Sequence, residues 1–276
     1  MILSRRTRIA LRAALTAGLA VVYLPLLLVL LNSLNRDRSF AWPPTGLTTE
    51  WWVRAWQSDG ARSALLTSLR AGAGATLVAL VLGTMTAFAV QRYRFFGRRT
   101  VSFLVILPIA LPGIVTGIAL NAAFRTVLGP AGIGFGTLTV VIGHATFCIV
   151  VVFNNVIARL RRMSPSAEEA SADLGAHSFQ TFRYVTFPAV RSALLAGGLL
   201  AFALSFDEIV VTTFTAGPGV QTLPVWIYAN LARPNQAPVV NVVAAVLVLL
   251  SVVPVYLAQR LSADTPGTPG TAAGRP

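Results

Sequence analysis

The sequence contains no lysine, one cysteine and two histidines, and charged residues make up only 11% of its 276 positions. Each shortage excludes something. A lone cysteine, Cys148, forms no intrachain disulfide and supplies no cysteine metal site. His144 and His177 stand far apart and offer no metal-ligand spacing. There is no Walker-type phosphate loop and no serine–histidine–acid set that can be placed, so no catalytic residue and no cofactor or metal is expected. Soluble domains carry about 25% charged residues, so a soluble enzyme is excluded by composition.

What is there instead is apolar: 55% of the residues are hydrophobic and the mean hydropathy is +0.71. The net charge of +13 raises the question of nucleic acid. A nucleic-acid binder gathers its basic residues into a patch on a soluble domain. Here the arginines punctuate long apolar runs, which is how a membrane protein distributes charge. No nucleic-acid partner is expected.

A bilayer core about 30 Å thick needs roughly 20 apolar residues in a helix. Six runs qualify, at about 13–34, 71–90, 101–124, 136–158, 190–211 and 239–260. An even number puts both termini on one side. Arginine placement orients them, because short cytoplasmic loops are enriched in it. Arg5, Arg6, Arg8, Arg12, Arg92, Arg94, Arg98, Arg99, Arg159, Arg161, Arg162, Arg183, Arg191, Arg260 and Arg275 fall on one side. Arg36, Arg38, Arg54, Arg62, Arg70, Arg125 and Arg233 fall on the other, outnumbered about two to one. The expected arrangement is an all-α membrane protein of six spans, N-in and C-in. The first run is too long for a signal-peptide core and reads as a retained span.

Trp42, Trp51, Trp52 and Trp56 cluster beside the first span and read as markers of the membrane interface. Residues 262–276 are poor in large apolar side chains and read as a disordered tail. Pro108 and Pro112 interrupt the third span, since each removes a backbone hydrogen bond that lipid cannot replace. That break is a packing kink or the edge of a translocation path.

The loop 159–187 is long where the other connections on its side are short. Ser164 or Ser166 can cap a first helix, and Ser166 with Glu169 has capping-box spacing. Gly175 stands where a left-handed residue ends it. Ser178 can cap a second helix with Phe179, Phe182 and Val185 on one face, and Pro188 opens the fifth span. Ala170, Ser171 and Ala172 give the first helix a small face that a partner can approach closely.

Glu169-Ala170-Ser171, then Gly175, then Val185-Thr186-Phe187-Pro188 resembles the EAA loop of ABC importer permeases, with mild departures at Ser171, Val185 and Phe187. The resemblance extends to Gly143-His144-Ala145-Thr146-Phe147-Cys148, to Ser205-Phe206-Asp207-Glu208 and to Thr222-Leu223-Pro224-Val225-Trp226. These look like the second permease of spermidine/putrescine-type importers, and permeases for other small solutes share parts of them. The resemblance implies a MetI-like permease domain over 1–261, in a bacterial inner membrane. It implies a separate cytoplasmic ABC ATPase dimer, a second permease subunit and an extracytoplasmic solute-binding protein as partners, besides membrane lipid. It also implies that Glu169, Ala170, Ser171 and Gly175 form a coupling helix docking on the ATPase.

Asp207 and Glu208 are the only acids in any of the six runs. A charge there is costly unless it faces protein or water. Asp207 lies about 22 Å along the span at ~1.5 Å per residue. Two readings follow. The pair lines a cationic solute's path, with Glu208 sharing a small, partly polar face with Ser205, Ala201 and Gly197; or it sits at the external interface, solvated or paired with Arg70. A polyamine is the solute expected on the first reading, with iron, a phosphonate or a thiamine-like solute as alternatives. Two rivals belong to other classes: an ion-coupled carrier or channel, and an intramembrane enzyme using Asp207 or His144.

Overall fold

The computed structural model describes residues 4–37, 43–233 and 235–263. Its regular structure is helical: α1 (Arg5–Leu34), α2 (Glu50–Gln57), α3 (Asp59–Arg92), α4 (Arg98–Ala110), α5 (Gly113–Val127), α6 (Thr137–Arg162), α7 (Ser166–Asp173), α8 (Ser178–Thr181), α9 (Phe187–Phe206), α10 (Val210–Thr215), α11 (Leu223–Leu231) and α12 (Ala237–Ala263). Among the described residues the one isolated β-bridge joins Asn35 and Leu47. An apolar chain of this composition becomes helical because a helix satisfies its own backbone hydrogen bonds within lipid.

Four helical stretches are long and apolar enough to cross a membrane: α1, α3, α6 and the continuous run Ser178–Phe206. The run expected as a third span is two helices instead, α4 and α5, bent by 110°. Pro112 explains the break. It disfavours helical geometry in the residue before it, and Leu111 is extended at φ −83° and ψ 144°. The chain resumes its helix directly behind Pro112. Pro108, by contrast, sits inside α4 without ending it. Taken as one bent span, α4 and α5 bring the number to five. The run expected as a sixth lies within α12.

The fifth run, 190–211, also departs from a single helix. α9 stops at Phe206, and α10 starts afresh at Val210. The second loop helix is not separate either. α8 passes through a π-helical turn, Phe182–Thr186, straight into α9. Pro188 supplies the reason. It has no N–H to give the carbonyl four residues back, and the ladder widens so that Phe187 N–H reaches Phe182 O.

The described chain forms two compact units. The first takes residues up to Ser63 with Trp226–Ser251. In it the strand-like bridge after α1 is held by Arg36 N–H to Gly46 O at 3.0 Å and Thr48 N–H to Leu34 O at 2.7 Å. Asp37 accepts from the Thr45 hydroxyl at 2.7 Å and the Thr45 N–H at 3.1 Å. The hydroxyl bond is the larger cause holding the Asp37 carboxyl below the usual carboxylate range. Trp51 departs from the interfacial role expected of it: it is buried, and its indole N–H donates to Asn35 O at 2.9 Å. Trp56 remains exposed, and Trp42 and Arg38 lie outside the described residues.

The second unit takes Ala64–Val225 and the described residues from Val252 onward. Its core is built around α6, whose Val152, Phe153, Val156 and Leu160 are buried against Ala75, Ala79 and Ala87 of α3 and Val190 and Ala201 of α9. Alanines in these seams let helix backbones approach closely, the usual means of packing helices in lipid. Of the tail expected at 262–276, Ser262 and Ala263 close α12 and the rest lies outside the described residues.

Candidate functional site

Two places in the second unit gather polar side chains among apolar helices. The first is the loop after α6. Pro165, rather than a serine, occupies the N-cap of α7, and its carbonyl takes the N–H of both Glu168 and Glu169. The capping box expected of Ser166 and Glu169 is therefore not formed, because Ser166 is already the first helical residue. At the other end Gly175 adopts φ +83°. Gly175 N–H bonds Ala172 O at 2.9 Å and Ala176 N–H bonds Ser171 O at 3.1 Å, the paired pattern of a Schellman turn. A side chain there would meet no neighbour within 4 Å, so the need for glycine is purely conformational.

α7 is held off the end of α3 by one carboxylate. Glu168 Oε1 takes Arg92 Nη2 at 2.5 Å and the buried Thr186 hydroxyl at 2.8 Å. Beneath lies a cavity of about 370 Å³ walled by Phe88, Arg92, Glu168, Ala172 and Thr186 among others. Ser171 is also turned inward, sharing a 3.0 Å hydrogen bond with Thr181. The outward face is thus Glu169 and Ala170, with Leu174 at its end 89% exposed. Sequence reasoning overlooked Leu174 and the role of Glu168. A leucine closing an otherwise polar helix, immediately before its terminating glycine, was the available signal for the first.

The second place is the seam of α6, α9 and α10. His144 is fully buried, with Nδ1 2.7 Å from Ser205 Oγ and Nε2 2.8 Å from Thr212 Oγ1. The Thr212 hydroxyl donates its single proton to Glu208 O at 3.0 Å. It must therefore accept from His144 Nε2–H, which leaves Nδ1 to accept from Ser205. One neutral imidazole thus clamps three helices, α6, α9 and α10.

The stripe Gly197, Ala201, Ser205 is occupied by this packing rather than open. Cys148 Sγ lies 3.3 Å from Ala201 O, and a Cβ on Gly197 would stand 3.3 Å from the Asn155 Cβ. Glu208 does not continue that face, because α9 has ended two residues earlier. Its carboxylate turns back to accept Val211 N–H at 2.9 Å, and the side chain is half-buried. Asp207 terminates α9 and is exposed. Neither acid pairs with Arg70: the ion pairs among the described residues are Arg54–Glu50, Arg62–Asp59 and Arg92–Glu168.

A bent apolar helix pair, a helix offered on a glycine-capped loop and a polar seam through the core fit a membrane transport subunit. The chain belongs to the family of binding-protein-dependent transport system inner membrane components, which matches residues 79–265. It is a multi-pass permease of an ABC importer. Among its relatives is the spermidine/putrescine transport system permease PotC of Escherichia coli K12, 34% identical over 93% of this chain and 95% of that one. The putrescine permease PotI of the same organism is 33% identical over 84% and 83%. A putative 2-aminoethylphosphonate permease, PhnV of Salmonella typhimurium, is 32% identical over 87% and 90%. Solved structures share the fold. A chain of a bacterial ABC transporter importing alginate superposes with a TM-score of 0.67 at 16% identity, covering 97% of this chain and all (100%) of that one. The MetNI methionine transporter superposes with a TM-score of 0.58 at 18% identity, over 79% and 99%. The fold is that of a MetI-like ABC permease. These relatives are transport subunits rather than enzymes.

Proposed function

We propose that this chain is the six-span, N-in and C-in permease that passes a polyamine or similar organic cation through the membrane. The observation that carries the solute reading is the similarity to PotC and PotI over most of the chain. The sixth span is α12, whose 27 residues extend about 40 Å at ~1.5 Å per residue. Residues 1–261 form the permease domain. Its partners are a cytoplasmic ABC ATPase dimer, a second permease and an extracytoplasmic binding protein, and ATP is hydrolysed on the ATPase.

α7 is the coupling helix. Glu169 and Ala170 meet the ATPase, with Leu174 as an apolar knob beside them. Ser171 and Gly175 serve from behind, the first by its bond to Thr181 and the second by the turn it permits. Asp207 and Glu208 lie where a cationic solute enters the path, at the break between α9 and α10. Two acids with no arginine partner among the described residues favour a cation there.

Isolating the complex in mild detergent, identifying its subunits and measuring uptake by proteoliposomes tests the whole reading. Putrescine or spermidine uptake driven by ATP is the expected result. Uptake of phosphonate or iron with no amine uptake overturns the solute, and purification without an ATPase overturns the importer mechanism. Gly175→Val tests the coupling helix. Valine strains a left-handed position by roughly 1–2 kcal/mol, and we expect ATP hydrolysis no longer coupled to uptake, or loss of the ATPase from the complex, with the chain still inserted. Wild-type uptake in that variant removes the assignment.

A further inference from the structure

The three ion pairs among the described residues are unlike one another. Arg54–Glu50 and Arg62–Asp59 each join neighbours one turn apart on a single helix, with side chains about half exposed or more. Exposed pairs of that kind contribute little. Arg92 and Glu168 are 76 positions apart, and their side chains are only 25% and 23% exposed. Their pair gathers the ends of three helices. Arg92 is the last residue of α3, Glu168 lies in the first turn of α7, and Thr186 closes the π-helical turn that runs into α9. One oxygen, Glu168 Oε1, accepts from both the Arg92 guanidinium and the Thr186 hydroxyl. The cavity of about 370 Å³ has Phe88 and Arg92 of α3 and Glu168 and Ala172 of α7 in its wall. The ion pair is the hydrogen-bonded link between those two helices.

Behind this link the helices are tied to one another. α3 and α9 both pack on α6 through buried alanines and Val190. Arg159 of α6 donates its Nε–H to Ala189 O, near the start of α9, at 2.8 Å. α9 then carries Ser205 to the His144 clamp. A displacement of α7 is therefore delivered to the ends of two helices at once, and both lead into the core around α6. The adjacent glutamate is placed differently. Successive residues stand about 100° apart around a helix, and Glu169 is exposed where Glu168 is half-buried. An acid in the first turn also favours a helix through its dipole. That role needs only the charge, whereas a link to Arg92 and Thr186 needs the charge at the reach of a glutamate.

We propose that Glu168 and Arg92 form the strut through which α7 passes its movement to α3 and α9. Glu168 is then a positioning residue of transport, while Glu169 serves docking. The inference rests on the reading of α7 as the coupling helix and adds to it the path that leads inward from that helix.

The test measures ATP hydrolysis by the intact complex in proteoliposomes, with and without its own binding protein isolated with solute bound, and the ATPase retained on purification. A coupled permease lets the binding protein raise hydrolysis on the far side of the membrane. We expect Glu168→Gln, Glu168→Asp and Arg92→Gln to keep the ATPase in the complex and to lower that stimulation at least threefold, a size usual for coupling networks. The double variant of Arg92→Gln with Glu168→Gln should do no worse than either alone, since both remove the same link. Glu169→Gln should instead weaken retention of the ATPase. Wild-type stimulation in Glu168→Asp overturns the strut, because aspartate keeps the charge in the first turn and loses the reach. Wild-type stimulation in Arg92→Gln overturns it too, and that variant decides alone if the Glu168 variants do not assemble. In either case uncoupling by Gly175→Val leaves the coupling helix standing. A wild-type complex whose hydrolysis does not respond to its binding protein overturns the coupling reading and the strut with it.

Discussion

α1 and α6 are both apolar enough to cross a membrane, yet 61% of the most apolar stretch of α6 is buried within the structure and 0% of that of α1. Hydropathy says that a helix tolerates lipid; it does not say whether lipid or protein covers it. The polar residues draw the distinction. Between Ala13 and Leu31, α1 carries only Thr16 and Tyr23 as polar side chains. α6 carries Thr139, His144, Thr146, Asn154 and Asn155. In a lipid-facing helix such groups can bond only within their own helix, as Thr146 to Gly143 O and Asn155 to Val151 O do here, whereas inside a bundle they also reach partners on other helices. His144 bonded to Ser205 and Thr212, and Thr139 bonded to Thr215 O at 2.7 Å, are those partners.

The contrast is sharpest in the response to truncation. Phe153→Ala, at a residue 1% exposed in the middle of α6, should lower the stability of the detergent-solubilised chain by about 3–5 kcal/mol. A shift in the thermal midpoint no larger than that of a surface substitution would break the comparison. His144→Leu removes the clamp and strands the Ser205 hydroxyl, while the Thr212 hydroxyl keeps its bond to Glu208 O. Interhelical hydrogen bonds in lipid are worth about 0.6–1.7 kcal/mol each, so we expect a loss of about 1–2 kcal/mol by the same measurement, recovered in part by His144→Gln. Leu15→Ala on α1, where the side chain is 63% exposed, should change stability by less than about 0.5 kcal/mol. A loss near that of Phe153→Ala would mean that α1 is packed against protein in the isolated chain.

The smallest effect concerns the segment just after α1. The Asp37 carboxyl titrates below its ordinary value because of its bonds to Thr45. A depressed carboxyl contributes stability that is present above its unfolded pKa and lost as pH falls through its folded one. Hydrogen exchange at Arg36, Asp37, Thr45 and Thr48, corrected for intrinsic rates, should therefore speed up only at pH below that of ordinary carboxyl titration. Asp37→Asn should abolish that dependence. An unchanged acid response in the variant would assign the effect to another group.

The coupling loop shows how unevenly such features can be read. Gly175 was legible because a positive φ at a helix end is a local requirement that glycine meets at least cost. The outward placing of Ala170 with Glu169 was legible in outline, but Ser171 was assigned to the same face and turned out to be tied to Thr181. The capping box of Ser166 and Glu169 had the right spacing and did not form, since Pro165 brought the helix start one residue forward. The fifth run looked continuous because Asp207 to Ile209 contain neither glycine nor proline, the two residues by which breaks are ordinarily recognised.

By itself the sequence determined the helical class, the positions of the apolar runs and the family, because each depends on residues close together along the chain or on their order; it marked Pro108 and Pro112 without saying which of them ends a helix. Only the tertiary structure decided which runs are covered by protein, where α9 stops, and which hydroxyls meet His144. Ser205 and Thr212 lie 61 and 68 positions from it. Such pairs cannot be read locally, because burial and hydrogen-bond partnership exist only once distant helices have been brought to the same depth and turned to the same side.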